Sequence, residues 1–342
     1  MEGERGQRGT LKNLQFHNRE ITEVEQKDGT IGKRKEKEKM ERKRSRVFLA
    51  GVGFCLALCV LTPPPLQAAD MIQVKGSDSE VNLVQSLAEA FMKKNPGVNI
   101  AVTGGGSGTG IAALINKKTD IANSSRDMNS KEEEAARKAG VTPFRVVFAT
   151  DGISAIVHPE NPVSKLTLEQ LGKIFKGDIT NWKEVGGRDM KISLYGRQSN
   201  SGTFVFFREF VVKADYSPHK KAMNGNAQIV EGIQRDKAGI GYVAVGYVVS
   251  EKGEVKPGVK VLNIAKNAQA EAFSPAKIEN VMSGDYPISR PLNQYLAGKP
   301  SGKLLEFIKF ELSPEGQEIV RQKGFFPVQP KWVEFNQKQG VM

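Results

Sequence analysis

From Met71 onward, apolar and polar positions switch between two periods. "MIQVKG" (71–76) alternates and predicts a short strand; "SDSEVNLVQSLAEAFMKKNPG" (77–97) predicts a helix. Its hydroxyl-rich start is followed by Val81, Val84, Leu87 and Phe91 at helical spacing, and Pro96-Gly97 stops it. A second strand, "VNIAVTGGG" (98–106), leads to a second helix, "SGTGIAALINKK" (107–118), with Ser107 or Thr109 near its cap. "TDIANSSR" (119–126) is a strand entering a turn, and "KEEEAARKAG" (131–140) a helix ending in Gly. The long apolar run "FRVVFATDGISAIVHP" (144–159) has room for two strands.

The rhythm then repeats. "TLEQLGKIFKGDI" (167–179) reads as a helix opening at Thr167 with Gln170 three residues on, and "MKISLYGR" (190–197) as a strand. "SGTFVFFREFVV" (201–212) and "QIVEGIQRDKAG" (228–239) read as helices, the latter capped by Gly239. "GIGYVAVGYVV" (239–249), "VKVLNI" (259–264) and "YPISRPLNQYL" (286–296) read as strands, and residues 301–324 as one or two helices broken at Pro314. Strand-helix alternation of this kind predicts an α/β architecture with a largely parallel sheet.

The first 46 residues follow neither period. They carry charge runs such as "GKRKEKEKMERKRSR" and predict no packed structure. "VFLAGVGFCLALCVL" (47–61) is an apolar run too short for a comfortable bilayer span. It lies between a basic cluster and "TPPPLQAAD", the order of a secretory leader, with cleavage expected after Ala68 or Ala69; an uncleaved anchor is the alternative. Met40, beside "ERKRSR", is the expected start, which makes residues 1–39 an over-extension; a long leader is the other reading. Cys55 and Cys59 both lie in the apolar run, so the exported part has no thiol for a disulfide or a metal. Neither is preceded by the small residue that a lipid-anchoring leader needs. The expected product is a soluble, periplasmic monomer.

Over residues 70–342 there are 36 Lys and Arg against 29 Asp and Glu. This modest excess suits an anionic ligand. It forms no basic stripe with interleaved aromatics, which excludes a nucleic-acid surface. Four stretches share one design, in which small hydroxyl residues follow a strand and open a helix: "GSDS" (76–79), "GGGSGTG" (104–110), "NSSR" (123–126) and "GRQSNSGT" (196–203). Each is an ordinary helix cap when taken alone. Aimed together at one place, their amides, hydroxyls and helix dipoles make an oxyanion site. Such turns sit at the carboxyl ends of strands, where open α/β sheets bind ligands.

Arg126 and Arg197 are the candidate cations, as Arg offers a fork matched to paired oxygens. Asp78 and Asp151 are the candidate carboxylates. An Asp in an anion site needs a guest that brings a proton, which hydrogen phosphate does and sulfate does not; leaving such an acceptor unpaired is worth on the order of 10⁴ in discrimination. The bland alternatives are that Asp78 caps a helix and Asp151 braces a hinge.

Gly108, Gly110 and Ala113 fit a dinucleotide fingerprint, but one that is weak alone and at odds with export. Ile111 after Gly110 excludes a P-loop. The three histidines, His17, His158 and His219, give no metal spacing and no partner for a serine nucleophile, so neither enzyme nor cofactor is expected.

In order and interval, "GSDS", "GGGSGTG", "ANSSRDM", "FATDGISAIVHPENP", "LTLEQLGKIFKGDITNW", "GRQSNSGTF", "GIGYVAVGYV" and "RPLNQYL…FIKFELSPEGQEIVRQKGFFPV" resemble the phosphate-binding proteins of bacterial phosphate ABC transporters. "GDITNW" and "SPEGQ…GFFPV" are the specific parts. The resemblance spans Met71 to Val328 and implies a type II periplasmic binding protein, whose two α/β lobes joined by crossing strands close on the ligand.

The lobes are then expected at 70–150 with 263–330, and at 151–262, leaving 331–342 as a C-terminal tail. The resemblance places anion donors at Asp78 (backbone), Ser79, Ser107, Arg197, Ser201, Gly202 and Thr203. With Ser77, Ser125, Arg126 and Asp151 from the turns, these are the expected phosphate ligands. Some members carry an acceptor Asp where this chain has Ser125, which passes the proton-accepting role to Asp151 or Asp78. Others place an acid at the position of Ser199, where it would pair with the Arg. The implied function is capture of inorganic phosphate for a membrane permease. The rivals are the same fold holding sulfate, molybdate or tungstate, an exported phosphatase, and a phosphate-responsive signalling module.

Overall fold

The computed structural model describes residues 70–342. The expected basic extension (1–46) and leader (47–69) lie outside the described residues. The first run is β1 (Asp70–Gly76), α1 (Val81–Lys94), β2 (Val98–Thr103), α2 (Ser107–Ile115), β3 (Ile121–Ser124), α3 (Ser130–Lys138) and β4 (Phe144–Val157). The second is β5 (Lys165–Thr167), α4 (Leu168–Lys176), β6 (Ser193–Arg197), α5 (Gly202–Phe207), β7 (Lys221–Met223), α6 (Asn226–Arg235) and β8 (Gly239–Ala244). Then come β9 (Lys260–Val261), β10 (Asn263–Ala265), β11 (Ala272–Phe273), α7 (Ile278–Met282) and β12 (Ser289–Leu296), and α8 (Gly302–Leu312), α9 (Pro314–Gln322) and α10 (Pro330–Gln339) close the chain.

Local chemistry sets the boundaries. α1 buries Leu83, Val84, Leu87 and Phe91, the predicted stripe. Thr167 and Gln170 form a reciprocal capping box on α4, which ends at Gly177 in the left-handed conformation. Ser313 caps α9, and Pro314 takes its first turn, so residues 301–324 are two helices. α6 ends at Arg235, and Gly239 opens β8 instead of capping the helix.

One sheet runs through both lobes in the order β2-β1-β3-β12-β4-β8-β6-β7, with β9 beside β4. β1, β2 and β3 are mutually parallel, as are β6, β7 and β8. The middle departs from the parallel expectation, because β12 is antiparallel to both β3 and β4, and β4 to β8. The run at 144–159 is one strand, β4, and not two. Its first half pairs with β12 and its second half with β8, so β4 and β12 cross between the lobes. This is the two-lobed type II periplasmic-binding-protein fold.

Two expected boundaries shift. β10 pairs in parallel with β5, which keeps 263–265 with the second lobe beyond the expected limit of 262. Residues 331–342 are no loose tail, because most of them form α10. There the buried Asn336 accepts from the Val147 amide (3.2 Å) and donates to the Val147 carbonyl (2.7 Å). Gln317 donates to the Phe148 carbonyl at 2.9 Å, and Phe326 bridges Thr150. The edge of β4 that no strand covers is thereby closed by side chains and a single bridge. Among the described residues no helix is long and apolar enough to cross a membrane.

Candidate functional site

Parallel strands end on the same side of a sheet, so β1, β2 and β3 deliver three of the four hydroxyl turns together. β1 ends at Gly76 (φ +145°), where a Cβ would lie 2.2 Å from the Asn123 carbonyl oxygen. Only glycine lets the turn after β1 press on β3 that closely. α2 is capped by Gly106 (φ 92°), which has no side chain to spend on the first-turn amides. The Thr109 amide turns back onto the Gly106 carbonyl at 3.0 Å, while the Gly108 amide takes an outside acceptor, the Asn200 carbonyl of the other lobe, at 3.0 Å. The Asn200 side chain donates back to the Gly105 carbonyl at 2.8 Å.

The fourth turn arrives from β6 and α5. Across the gap the Ser79 and Thr203 hydroxyls lie 2.9 Å apart. Ser77 donates to Ser125 at 2.9 Å, and the Ser107 hydroxyl accepts the Ser125 amide at 3.1 Å. A Cβ on Gly202 would lie 2.2 Å from Ser107 Oγ and 2.7 Å from Ser125 Oγ. Ser77, Ser79, Ser107, Ser125, Ser201, Gly202 and Thr203 are all buried. Ser201 is the α5 cap, its Oγ accepting from the Phe204 amide at 3.3 Å. The four turns therefore meet in one place, with the lobes in contact.

Arg197, at the end of β6, is fully buried. Its Nη2 pairs with Asp78 Oδ2 and donates to the Asn224 carbonyl at 3.0 Å, while Nε and Nη1 are buried with no partner. Its backbone is held from outside the sheet ladder: the amide donates to Tyr242 OH at 3.2 Å and the carbonyl accepts Lys220 Nζ at 2.9 Å. Burial pushes the Tyr242 phenol up to about 12 and pulls the Lys220 ammonium down. Asp78 spends its other oxygen on the Gly105 amide at 2.7 Å, and its carbonyl accepts from Tyr247 OH at 2.6 Å. Burial and the Asp78 charge push the Tyr247 phenol up to about 12, so it stays a donor.

Two candidates are engaged elsewhere. Arg126 grips Glu132 with both Nη atoms, at 2.7 and 2.6 Å, and donates to the Asp127 carbonyl at 2.8 Å. Glu132 also closes the capping box of α3 with Asn129, so this Arg is fixed on a helix start with both Nη atoms engaged, its buried Nε alone lacking a partner. Asp151, fully buried on β4, accepts from Arg290 with one oxygen and from the Val245 amide (3.2 Å) with the other. It braces the crossing strands through Arg290 and the Val245 amide.

Arg290, which the sequence reading passed over, is the second buried arginine. Its Nε and Nη2 hold Asp151 at 3.1 and 2.8 Å, Nη1 donates to the Ser125 carbonyl at 2.8 Å, and Nη2 reaches Thr203 Oγ1 at 2.9 Å and Ser79 Oγ at 3.4 Å. Glu80, also unforeseen, is buried behind Ser79 with both carboxyl oxygens unpartnered. Burial drives its pKa well above the usual carboxyl range, against the pull of Arg290. Its only sequence sign is an acid at the cap of an otherwise apolar helix face.

Among the described residues no three His, Cys, Asp or Glu side chains gather to hold a metal. A separate cleft of about 560 Å³ runs along β5 and β10 and includes none of the site residues.

Comparison with known proteins places this geometry among relatives. A profile of the PBP superfamily domain matches residues 62–315. The phosphate-binding protein PstS of Pseudomonas aeruginosa is 32% identical, over 83% of this chain and 93% of that protein. That of Bacillus subtilis is 33% identical, over 77% and 82%. A phosphate-bound putative phosphate ABC transporter substrate-binding protein from Clostridium perfringens superposes with a TM-score of 0.67 at 32% identity, over 76% of this chain and all of that one. A phosphate transport receptor from Vibrio cholerae gives 0.60 at 28% identity, over 75% and 100%.

Proposed function

The chain belongs to the PstS family of phosphate-binding proteins, and on that premise we propose that it captures inorganic phosphate between its lobes and passes it to the permease subunits of an ABC transporter. The observation that carries this reading is the state of Arg197. A fully buried guanidinium whose Nε and Nη1 have no partner is costly unless acceptors arrive, and oxygens of an anion beside it are acceptors of that kind. Around it, the Ser107 amide of α2, the Gly202 and Thr203 amides of α5, the hydroxyls of Ser107 and Ser125 and the one hydrogen left on the Ser79–Thr203 pair supply further hydrogens. Ser77 orients Ser125, and Ser201, Gly202 and the Asp78 amide complete the ring of donors.

Selectivity falls to Asp78. Its two oxygens each accept one hydrogen bond, from Gly105 and Arg197, and a carboxylate has lone pairs for more. Asp78 can therefore take the proton of hydrogen phosphate, which sulfate lacks. The protein works as an exported, monomeric binding protein with no chemical step. Closure is selected by ligand contacts to both lobes. Isothermal titration tests this: phosphate binds the protein, sulfate binds far more weakly, and Arg197→Met loses on the order of 100-fold in phosphate affinity. Unchanged binding in Arg197→Met excludes this site.

A further inference from the structure

The two buried arginines are wired in opposite ways. Arg197 keeps Nε and Nη1 unpartnered. Every nitrogen of Arg290 is engaged, and its acceptors come from three parts of the molecule: Asp151 on the crossing strand β4, Ser79 and the Ser125 carbonyl in the first lobe, and Thr203 in the second. The Phe206 ring covers its guanidinium, 5.6 Å from the centroid. We propose that Arg290 is a specificity-determining positioning residue, which fills an acceptor site of the Thr203 hydroxyl across the interlobe gap so that the hydrogen left on the Ser79–Thr203 pair is turned toward the guest.

A hydroxyl has one hydrogen and two acceptor sites. Ser79 and Thr203 share one hydrogen bond, which uses one of their two hydrogens. Arg290 carries no acceptor, so it can only donate to these oxygens. It occupies a lone pair on Thr203 at 2.9 Å and reaches toward Ser79 at 3.4 Å. The remaining hydrogen has no protein acceptor between these partners and points out of the cluster. The pair thus presents a donor to whatever lies beside it and discriminates against a guest that must itself donate there. The same contact ties the second lobe to β12, so it forms only when the lobes meet. Asp151 neutralises the guanidinium and fixes its plane, which lets it act without competing for the anion.

This inference rests on the phosphate reading, and the experiment separates the two. Phosphate is titrated calorimetrically into the wild-type chain, Arg290→Lys, Thr203→Val and the double variant, each first shown to melt cooperatively. A lysine keeps the charge beside Asp151 but cannot reach Asp151, Ser125 and Thr203 together. Arg290→Lys is expected to weaken phosphate binding on the order of tenfold or more. In the Thr203→Val background the same exchange is expected to cost several-fold less, because its target hydroxyl is gone. If Arg290→Lys does not fold, the paired exchange Arg290→Gln with Asp151→Asn leaves no stranded charge and carries the same expectation. An equal loss in both backgrounds, or wild-type affinity in the Arg290 variant, overturns the positioning role and leaves phosphate binding standing. A wild-type chain that takes up no phosphate overturns the reading on which the role depends.

Discussion

Gly202 offers the sharpest test of whether the four turns close on one guest. It opens α5, outside the left-handed region, so alanine brings no backbone strain there. The added methyl would lie 2.2 Å from Ser107 Oγ, 2.7 Å from Ser125 Oγ and 2.9 Å from Ser107 Cβ. Non-bonded heavy atoms rest near ~3.5 Å, so the closest approach is short by more than ~1 Å. Turning the Ser107 hydroxyl aside does not help, because its Cβ is itself too near. Ser107 and Ser125 belong to the first lobe and Gly202 to the second, so the overlap exists only when the lobes meet. Overpacking of this kind costs roughly 1–3 kcal/mol, which is about 5- to 150-fold in affinity. Within α5 itself alanine is the better residue by up to ~1 kcal/mol. Gly202→Ala is therefore expected to melt at or above the wild-type temperature without ligand, and to lose most of the phosphate-induced rise in Tm. Calorimetry gives the dissociation constant directly. A variant that binds phosphate within twofold of wild type would refute the claim that these turns close over the guest.

Other substitutions probe separate parts of the same structure. Burial raises the Glu80 pKa, so the folded chain keeps a proton that the unfolded chain gives up; this contribution is fully present below the ordinary carboxyl pKa and is lost as pH rises through the raised value. Glu80→Gln should then match wild type in thermal melts near pH 4 and exceed it at pH 8, and a lower Tm at pH 8 would contradict the assignment. Asp78→Asn removes the acceptor for a guest proton and leaves the Arg197 charge uncompensated, so the phosphate-to-sulfate affinity ratio should fall on the order of tenfold or more in competition calorimetry; an unchanged ratio removes Asp78 from selectivity. Asn336→Ala strips both hydrogen bonds from the Val147 peptide and should cost ~2–4 kcal/mol in urea unfolding, where a loss below the fitting error would show α10 to be dispensable.

The legible parts of the molecule were those written locally. The α1 stripe and the capping box at Thr167 and Gln170 each lie within a few residues and form as read, whereas "NSSR" ends a strand but opens no helix, the next one starting at Ser130 behind its own cap, Asn129. What failed depended on distant partners. Arg126 and Arg197 look alike in sequence, each beside a hydroxyl turn. Glu132 takes the first because a capping box brings it back onto the turn, and "NSKE" at 129–132 carried that signal. Arg290 and Asp151 lie 139 residues apart and meet only because β12 and β4 cross. A lone Arg inside the apolar run "YPISRPLNQYL" demands a buried partner, but nothing in the run says which one. The parallel expectation failed in the middle of the sheet for a similar reason: β12 returns from a long excursion, and its direction is set by topology and not by composition.

The ion pairs explain how such a site can hold an anion without a net positive charge. Arg197 is matched by the half-buried Asp78, and Arg290 by the buried Asp151, so these four charges cancel. Excess charge would draw any anion and would destabilise the closed form without one. Cancelled charge leaves the direction of hydrogens as the discriminating quantity. Arg197 keeps Nε and Nη1 unpartnered, the helix starts add amides, and on the inference above Arg290 leaves the Ser79–Thr203 pair a donor. Sulfate and phosphate satisfy that shell alike, since both offer oxygens all round. On the proposed reading the lone pairs of Asp78 add an acceptor beside that shell, which a guest that keeps a proton can satisfy. On that reading donors set affinity and the Asp78 acceptor sets identity, which would offset the cost of a carboxylate in an anion site.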